Sequence, residues 1–471
     1  MQEPTDPVPG TGVTTSTTGG LRRRIGMKDL LVYGLVFIGP AAPVGVYGAL
    51  DARSNGVVPV VYIVATIAMA FTAASYALMS SRVPRAGSVF AYASAGIGPK
   101  TGFVTGWMVM LDYLLIPSVA YLFTGIAMNS FVPSVPVWVW TAAAVLITTG
   151  LNLAGVKVAA RVATFVVLAE IIVLGIVLIG AVVVLSQHGP TRPWLSPLLG
   201  VGGFSWVAVL GAVSVAVLSF LGFDALATFA EETQGSDSRL VGRATVICLV
   251  IAGVLFFAQT YIGALLMPMT PQELAAKPES IGKAYYAMVG GQIAPWLQVM
   301  LAVAKALGAS FSAMVGQAAA GRILMDMGRN RRLPRALAGV NARTGVPLVG
   351  ILVAAIGNVA VAIWAATRDD GLDILVSVVD VGALVAFVLL HASVVGYFWV
   401  KAKDVQRKLW SHVIAPVVGA LILITVLVNA SLPAKLIGLA WLVIGIVVVL
   451  LQRGVTYDPT AGADAEPGDL T

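Results

Sequence analysis

The chain has 471 residues, 58% hydrophobic and 11% charged, with a formal net charge of +7. A soluble fold of this composition lacks the polar surface to cover itself, so lipid must be the solvent for most of it. A single cysteine, Cys248, excludes an internal disulfide or a thiolate metal cage, and the three histidines, His188, His391 and His412, argue against a histidine metal site.

Residues 1–25, rich in Thr, Pro and Gly, are expected to be a disordered tail. Apolar stretches then recur at 29–50, 56–80, 101–130, 137–154, 160–186, 205–230, 242–267, 295–321, 347–367, 374–400, 411–430 and 433–452. Each is close to the roughly 20 residues a helix needs to cross about 30 Å of hydrocarbon, so twelve transmembrane helices are predicted. The first is too long for a cleavable signal and lacks a small-residue cleavage site. An acidic segment, 456–471, is expected to be a second disordered tail.

The basic residues alternate between loops. One set holds Arg22, Arg23, Arg24, Lys28, Arg82, Arg85, Lys100, Lys157, Arg161, Arg239 and Arg243. It continues with Arg322, Arg329, Arg331, Arg332, Arg335, Arg343, Lys401, Lys403, Arg407, Lys408 and Arg453. The other loops hold only Arg53, Arg192, Lys277, Lys283, Arg368 and Lys435. This bias predicts that the first set and both termini face the cytoplasm, and it makes the positive charge a topology signal rather than a nucleic-acid footprint.

Two spans are interrupted. The first carries Gly39-Pro-Ala-Ala-Pro-Val-Gly45, in which Pro40 and Pro43 each lack an amide donor and obstruct the preceding turn. The sixth carries Ser219-Phe-Leu-Gly-Phe-Asp224. If residues 26–200 form one five-helix repeat and 201–400 its inverted copy, these breaks occupy equivalent positions, the arrangement that marks a transporter's midplane site. The alternative is that Gly and Pro merely kink two membrane helices.

The segment Ser219-Phe-Leu-Gly-Phe-Asp224-Ala-Leu-Ala-Thr-Phe-Ala-Glu231-Glu232-Thr resembles the sixth-span signature of the amino acid–polyamine–organocation permeases. Pro84-Arg-Ala-Gly-Ser-Val-Phe-Ala-Tyr92 is similar to the loop after their second span. Gly106-Trp-Met-Val-Met-Leu-Asp112-Tyr113-Leu-Leu-Ile-Pro117, Gly382-Ala-Leu-Val-Ala-Phe387 and Pro416-Val-Val-Gly-Ala-Leu421 resemble the bacterial putrescine importer branch. The resemblance runs through residues 25–455. It implies an all-α, twelve-helix membrane protein with a five-plus-five inverted repeat of the LeuT-like kind and two extra helices within 401–455. It also implies alternating-access uptake across the cell membrane, driven by protons or by exchange, with spans one, three, six and eight around the substrate.

Five ionisable residues fall at membrane depth: Asp112, Glu170, Asp224, Lys305 and Asp380. Such groups are costly in lipid and mark functional sites by default. Asp224 is expected either to bind an ammonium group or a proton at the sixth-span break, or to cap the second half of that helix. Phe220 and Phe223 beside it either stack on an organic cation or pack against neighbouring helices. Asp112 and Tyr113 either grip a cationic substrate or form a structural Asp–Tyr network. Glu231 and Glu232 are expected on a solvated face, with intracellular gating the alternative. Sodium-independent members of the superfamily often carry Lys at the position of Glu170. Glu170 is expected to pair with Lys305 and to carry the coupling proton, or else to form a structural salt bridge. Asp380 lies beside Gly382 with no assigned role.

Substrate contacts are thus expected at Gly39, Ala41, Ala42, Gly45, Asp112, Tyr113, Ser219, Phe220, Gly222, Phe223 and Asp224. In this superfamily the amides of the first break receive an α-amino acid carboxylate. Pro40 and Pro43 remove two such donors here, which, with three acids near the cavity, favours a polyamine or other organic amine over an amino acid. Gly45, however, stands where the putrescine importers have an acidic residue. The partners expected are a small amine or amino acid, protons and the lipid bilayer, with no cofactor, metal or nucleic acid. No filter motif suggests a channel, and no nucleophile–base pair or metal cluster suggests an enzyme.

Overall fold

A computed structural model of the chain describes residues 26–83, 88–154, 156–224, 226, 240–329, 334–341, 346–402 and 406–451. All regular structure among them is helical. Among the described residues eleven helices are long and apolar enough to cross a membrane, and a shorter apolar helix, Trp206–Phe220, takes the sixth position. The first five are Leu30–Arg53, Val58–Ser80, Pro99–Asn129, Val137–Ala154 and Thr164–His188. After the sixth come Leu240–Leu266, Pro295–Gly321, Leu348–Ala366, Gly371–Lys401, Trp410–Asn429 and Leu432–Leu451.

Local chemistry sets several of the starts. Pro59, Pro99 and Pro295 lie in the first turn of their helices, where a missing amide costs nothing. The Ser205 hydroxyl accepts the Ala208 amide at 3.3 Å and caps the sixth span.

Burial separates central from peripheral spans. The tenth and third spans are 78% and 67% buried and the twelfth only 17%, so the former are central and the latter peripheral. Phe165, Ile172 and Ile179 on the fifth span, and Leu432, Leu436 and Leu439 on the twelfth, are exposed faces that suit acyl chains rather than water.

Small polar side chains join the third and fourth spans to the eighth and ninth. The Asn152 amide donates to Gln317 Oε1 at 2.8 Å, and Gln317 donates to Thr149 at 3.0 Å. Thr124 and Ser310 hydroxyls meet at 2.9 Å, and Ser118 donates to Asn358 at 3.1 Å. Such bonds average about 0.6 kcal/mol each inside a membrane, so several are needed to hold a frame. At the periphery, Trp107 and Trp441 stack at 4.7 Å and each indole donates to the other's carbonyl at 2.8 Å, fastening the twelfth span to the third.

The sixth span begins at the expected 205 and is interrupted within the described residues. Its α-helix ends at Ala216, a 3-10 turn covers Val217–Phe220, and the chain then leaves the helical path. Residues 227–239, with Glu231 and Glu232, lie outside the described residues, as do 84–87 of the loop after the second span.

Candidate functional site

The first span is two helices, Met27–Ile38 and Ala42–Arg53, separated at Gly39, Pro40 and Ala41. Gly39 adopts φ +72°, a left-handed conformation that L side chains rarely take. Pro43 falls in the first turn of the second helix, where its ring is tolerated. The Gly39 amide donates to Leu35 O at 3.0 Å and the Ala42 amide to Gly39 O at 2.9 Å. Two of the four backbone positions expected to meet substrate are therefore satisfied within the break. The Ala41 amide has no backbone acceptor among the described residues. Side chains from two other spans brace the freed carbonyls: Gln259 Nε2 donates to Pro40 O at 3.1 Å, and Ser312 Oγ to Phe37 O at 3.4 Å. Gly45 lies under the Phe123 ring, only 2.8 Å from where a Cβ would stand.

In the sixth span, Leu221 is extended and Gly222 takes φ +107°. A Cβ on Gly222 would lie 2.9–3.0 Å from the Cβ, carbonyl carbon and oxygen of Phe37. The two breaks therefore touch, backbone to backbone. Asp224 Oδ1 accepts the Gly222 amide at 3.2 Å and Oδ2 accepts the Tyr113 hydroxyl at 3.2 Å. The Ser219 and Tyr62 hydroxyls are 2.8 Å apart. Phe220 packs against Phe256 at 5.0 Å and Tyr62 at 6.2 Å, and Phe223 against Tyr76 at 5.8 Å and Phe387 at 5.9 Å. Both rings are wedged between helices. The helix that Asp224 was to cap lies outside the described residues.

Three acids converge beside this break. Asp112, Asp224 and Asp380, from the third, sixth and tenth spans, are 2%, 3% and 1% exposed. Asp112 is in electrostatic range of both Asp224 and Asp380. Asp380 is also in electrostatic range of Tyr62, Arg53 and Asp373. One oxygen of Asp112 and both of Asp380 lack a hydrogen-bond partner, as does the Ser377 hydroxyl one turn before Asp380. The phenol of Tyr113 serves Asp224 across the bundle, an Asp–Tyr contact between the third and sixth spans. Asp380, which sequence left without a role, is part of the cluster; its only signal was a carboxylate at mid-span.

A cavity of about 480 Å³ opens above the cluster, with Val46, Leu122, Val215 and Val376 among its lining. Arg53 and Asp373 form an ion pair at its wall, joining the first span to the tenth. Lys283 and Arg368 also line it, so three of the six basic residues from the sparsely charged loops gather here.

Glu170 and Lys305 are 1% and 5% exposed and within electrostatic range of each other. No ion pair of 4.0 Å or less joins them, so the expected contact pair is absent from this conformation. Neither Glu170 oxygen has a hydrogen-bond partner, although the Ala41 amide lies near them. The carboxylate rests on Gly308, where a Cβ would come within 2.6 Å of Oε2. The Lys305 ammonium lies 5.7 Å from the centre of the Phe123 ring. Glu170 thus reaches the first-span break from behind, through Ala41, and Lys305 reaches it through Phe123 and Gly45.

Sequence reasoning missed one ion pair altogether. Arg192, between the fifth and sixth spans, binds Asp51 through Nη1–Oδ1 at 2.9 Å and Nη2–Oδ2 at 2.7 Å, and also donates to Met269 O. Burial opposes the charge on Arg192, but the bonds and attraction from Asp51 outweigh it and hold the guanidinium above its ordinary range. Among the described residues no group of three His, Cys, Asp or Glu side chains is placed to hold a metal.

Interrupted helices meeting inside a helical bundle, lined by buried acids and topped by a cavity, are the architecture of a secondary membrane carrier. The chain belongs to the amino acid permease family, whose model matches residues 30–451. It is 29% identical to the low-affinity putrescine importer PlaP of Escherichia coli K12, over 91% of this chain and 93% of that protein. It is 25% identical to the branched-chain amino acid permease BcaP of Bacillus subtilis, over 93% and 94% of the two chains. With the vacuolar cationic amino acid transporter 2 of Arabidopsis thaliana it shares 28% identity over 78% of this chain and 59% of the other. The chain is accordingly a multi-pass membrane transporter and not an enzyme.

Proposed function

We propose that the protein imports a small organic amine such as putrescine, coupled to protons, by alternating access. The observation that carries this is the gathering of Asp112, Asp224 and Asp380 beside the sixth-span break, which abuts a first-span break whose Gly39 and Ala42 amides are already bonded. Buried carboxylates attract ammonium groups, while satisfied amides have little to offer a carboxylate. The substrate enters from the cavity beside Val376 and meets Asp224, with Ser219 and Tyr113 at its flank. Glu170 carries the coupling proton, under the influence of Lys305. Residues 26–200 and 201–400 are two inverted five-helix repeats, and 401–455 supplies two further helices. The protein sits in the cell membrane with both termini cytoplasmic, so that the cavity opens outward.

The 25% identity to the branched-chain amino acid permease BcaP supports a second reading, an amino acid permease, in which the Ala41 amide would leave Glu170 to meet the substrate carboxylate. Uptake of labelled putrescine into proteoliposomes under an inward proton gradient, with diamines, monoamines and amino acids as competitors, separates the two. Saturable putrescine uptake blocked by diamines is expected. Uptake confined to amino acids would establish the second reading, and none of either kind would defeat the carrier assignment.

A further inference from the structure

We propose that Asp380, with Asp112 and Ser377, forms a second ammonium site, so that the transporter holds a diamine at both ends and selects it over monoamines and amino acids. The proposal rests on the amine-import reading and names the class of amine. Four observations carry it. Both oxygens of Asp380, one of Asp112 and the hydroxyl of Ser377 are buried without hydrogen-bond partners, three acceptor atoms and a hydroxyl turned away from water. A carboxylate left so at membrane depth is strongly unfavourable until a cation or proton joins it.

Ser377 supplies the independent polar group: it is 5% exposed, carries no charge, and lies three residues before Asp380 on the same side of the tenth helix. The position also suits a ligand. Asp373 and Val376 line the cavity, and Asp380 follows one turn below Val376 and two below Asp373, so one helical face runs from the cavity to the orphaned carboxylate. Finally, Asp380 is in electrostatic range of Tyr62, whose hydroxyl meets Ser219 of the sixth-span break. The site therefore lies between the cavity and the break, where the far end of a substrate anchored on Asp224 would extend. An α-amino acid would bring its carboxylate toward Asp112 or Asp380, and a monoamine would leave Asp380 bare. Both are disfavoured by the same groups that receive a diamine.

The test compares putrescine with n-butylamine, equal in carbon chain but with one ammonium, in proteoliposomes of wild type, D380N and D380E. Wild type is expected to favour the diamine in kcat/KM. D380N is expected to raise KM for putrescine about tenfold while leaving n-butylamine within about twofold, the loss of one charge-assisted bond. D380E should retain the preference. If D380N does not assemble, S377A is read by the same ratio: a fall of about threefold supports the site and an unchanged ratio opposes it. An unchanged ratio in D380N, or an equal loss for both amines, would overturn the assignment and leave Asp380 a proton-holding or structural residue. Wild type that takes up amino acids but no amine would instead strike the amine reading, and the Asp380 site with it.

Discussion

Replacing Arg192 with leucine should unfasten the segment between the fifth and sixth spans from the end of the first. Asp51 is fully buried and Arg192 is 7% exposed, so neither charge has water to fall back on. The pair is bidentate at 2.9 and 2.7 Å, and the same guanidinium serves Met269 O. Removing the arginine leaves the carboxylate with only the Tyr47 hydroxyl at 3.4 Å and strands a carbonyl, which sets the cost at about 3–5 kcal/mol. Changing both Asp51 and Arg192 to leucine removes the stranded charge as well, and should return stability to within about 1 kcal/mol of wild type or above it.

Equilibrium unfolding in detergent, followed by tryptophan fluorescence, measures both. Because the folded-state pKa of Arg192 is raised, its contribution is complete below the unfolded value and is lost only as pH rises through the folded one. Both lie beyond the range of such an assay, so the contribution of Arg192 to wild-type stability should be flat from about pH 5 to 9. A single variant costing under about 1 kcal/mol, or a double variant costing as much as the single, would refute the assignment of a buried, energetically coupled pair.

Gly222→Ala places a Cβ against the Phe37 backbone at φ +107°, a strain of about 1–3 kcal/mol. Uptake should collapse while the detergent-solubilised protein remains folded, and normal uptake would show that the breaks need not touch. Glu170→Gln should abolish accumulation driven by a proton gradient but spare substrate exchange in proteoliposomes. Unaltered gradient-driven accumulation would remove Glu170 from coupling. Outside the membrane, the Thr270 amide and hydroxyl hold the Glu273 carboxyl below its ordinary pKa in a capping box on Pro271–Ala275. Its support is therefore present above the unfolded glutamate pKa and lost as pH falls through the depressed folded value. Hydrogen exchange at 270–276 should quicken over that acid range in wild type and show no such pH step in Glu273→Gln.

The spans were legible in the sequence because the length and polarity of a membrane-crossing segment are local properties. The stretches at 137–154 and 295–321 coincide with the observed Val137–Ala154 and Pro295–Gly321. The first break was equally legible, because Pro40 and Pro43 act on their own turns. The sixth break was marked by Gly222 and the start of its helix fell at the expected 205, where Ser205 caps it locally. The end of the α-helix at Ala216, ahead of the break, was not marked; it precedes the turn on which Phe220 packs against Phe256.

Which side chains meet could be settled only by packing. Asp112 and Tyr113 are neighbours in sequence, yet successive residues on a helix point about 100° apart, and the phenol crosses to Asp224, 111 positions away. Arg192 finds Asp51 across 141 positions, a pairing with no local periodicity to announce it. Glu170 and Lys305 do approach, but the face each helix turns inward holds them short of an ion pair. By itself the sequence determined a twelve-span membrane protein with an interrupted first helix and acids at depth. Only the tertiary structure decided which of those acids share a site, because that depends on the rotation of each helix about its own axis, and packing against neighbours sets that rotation.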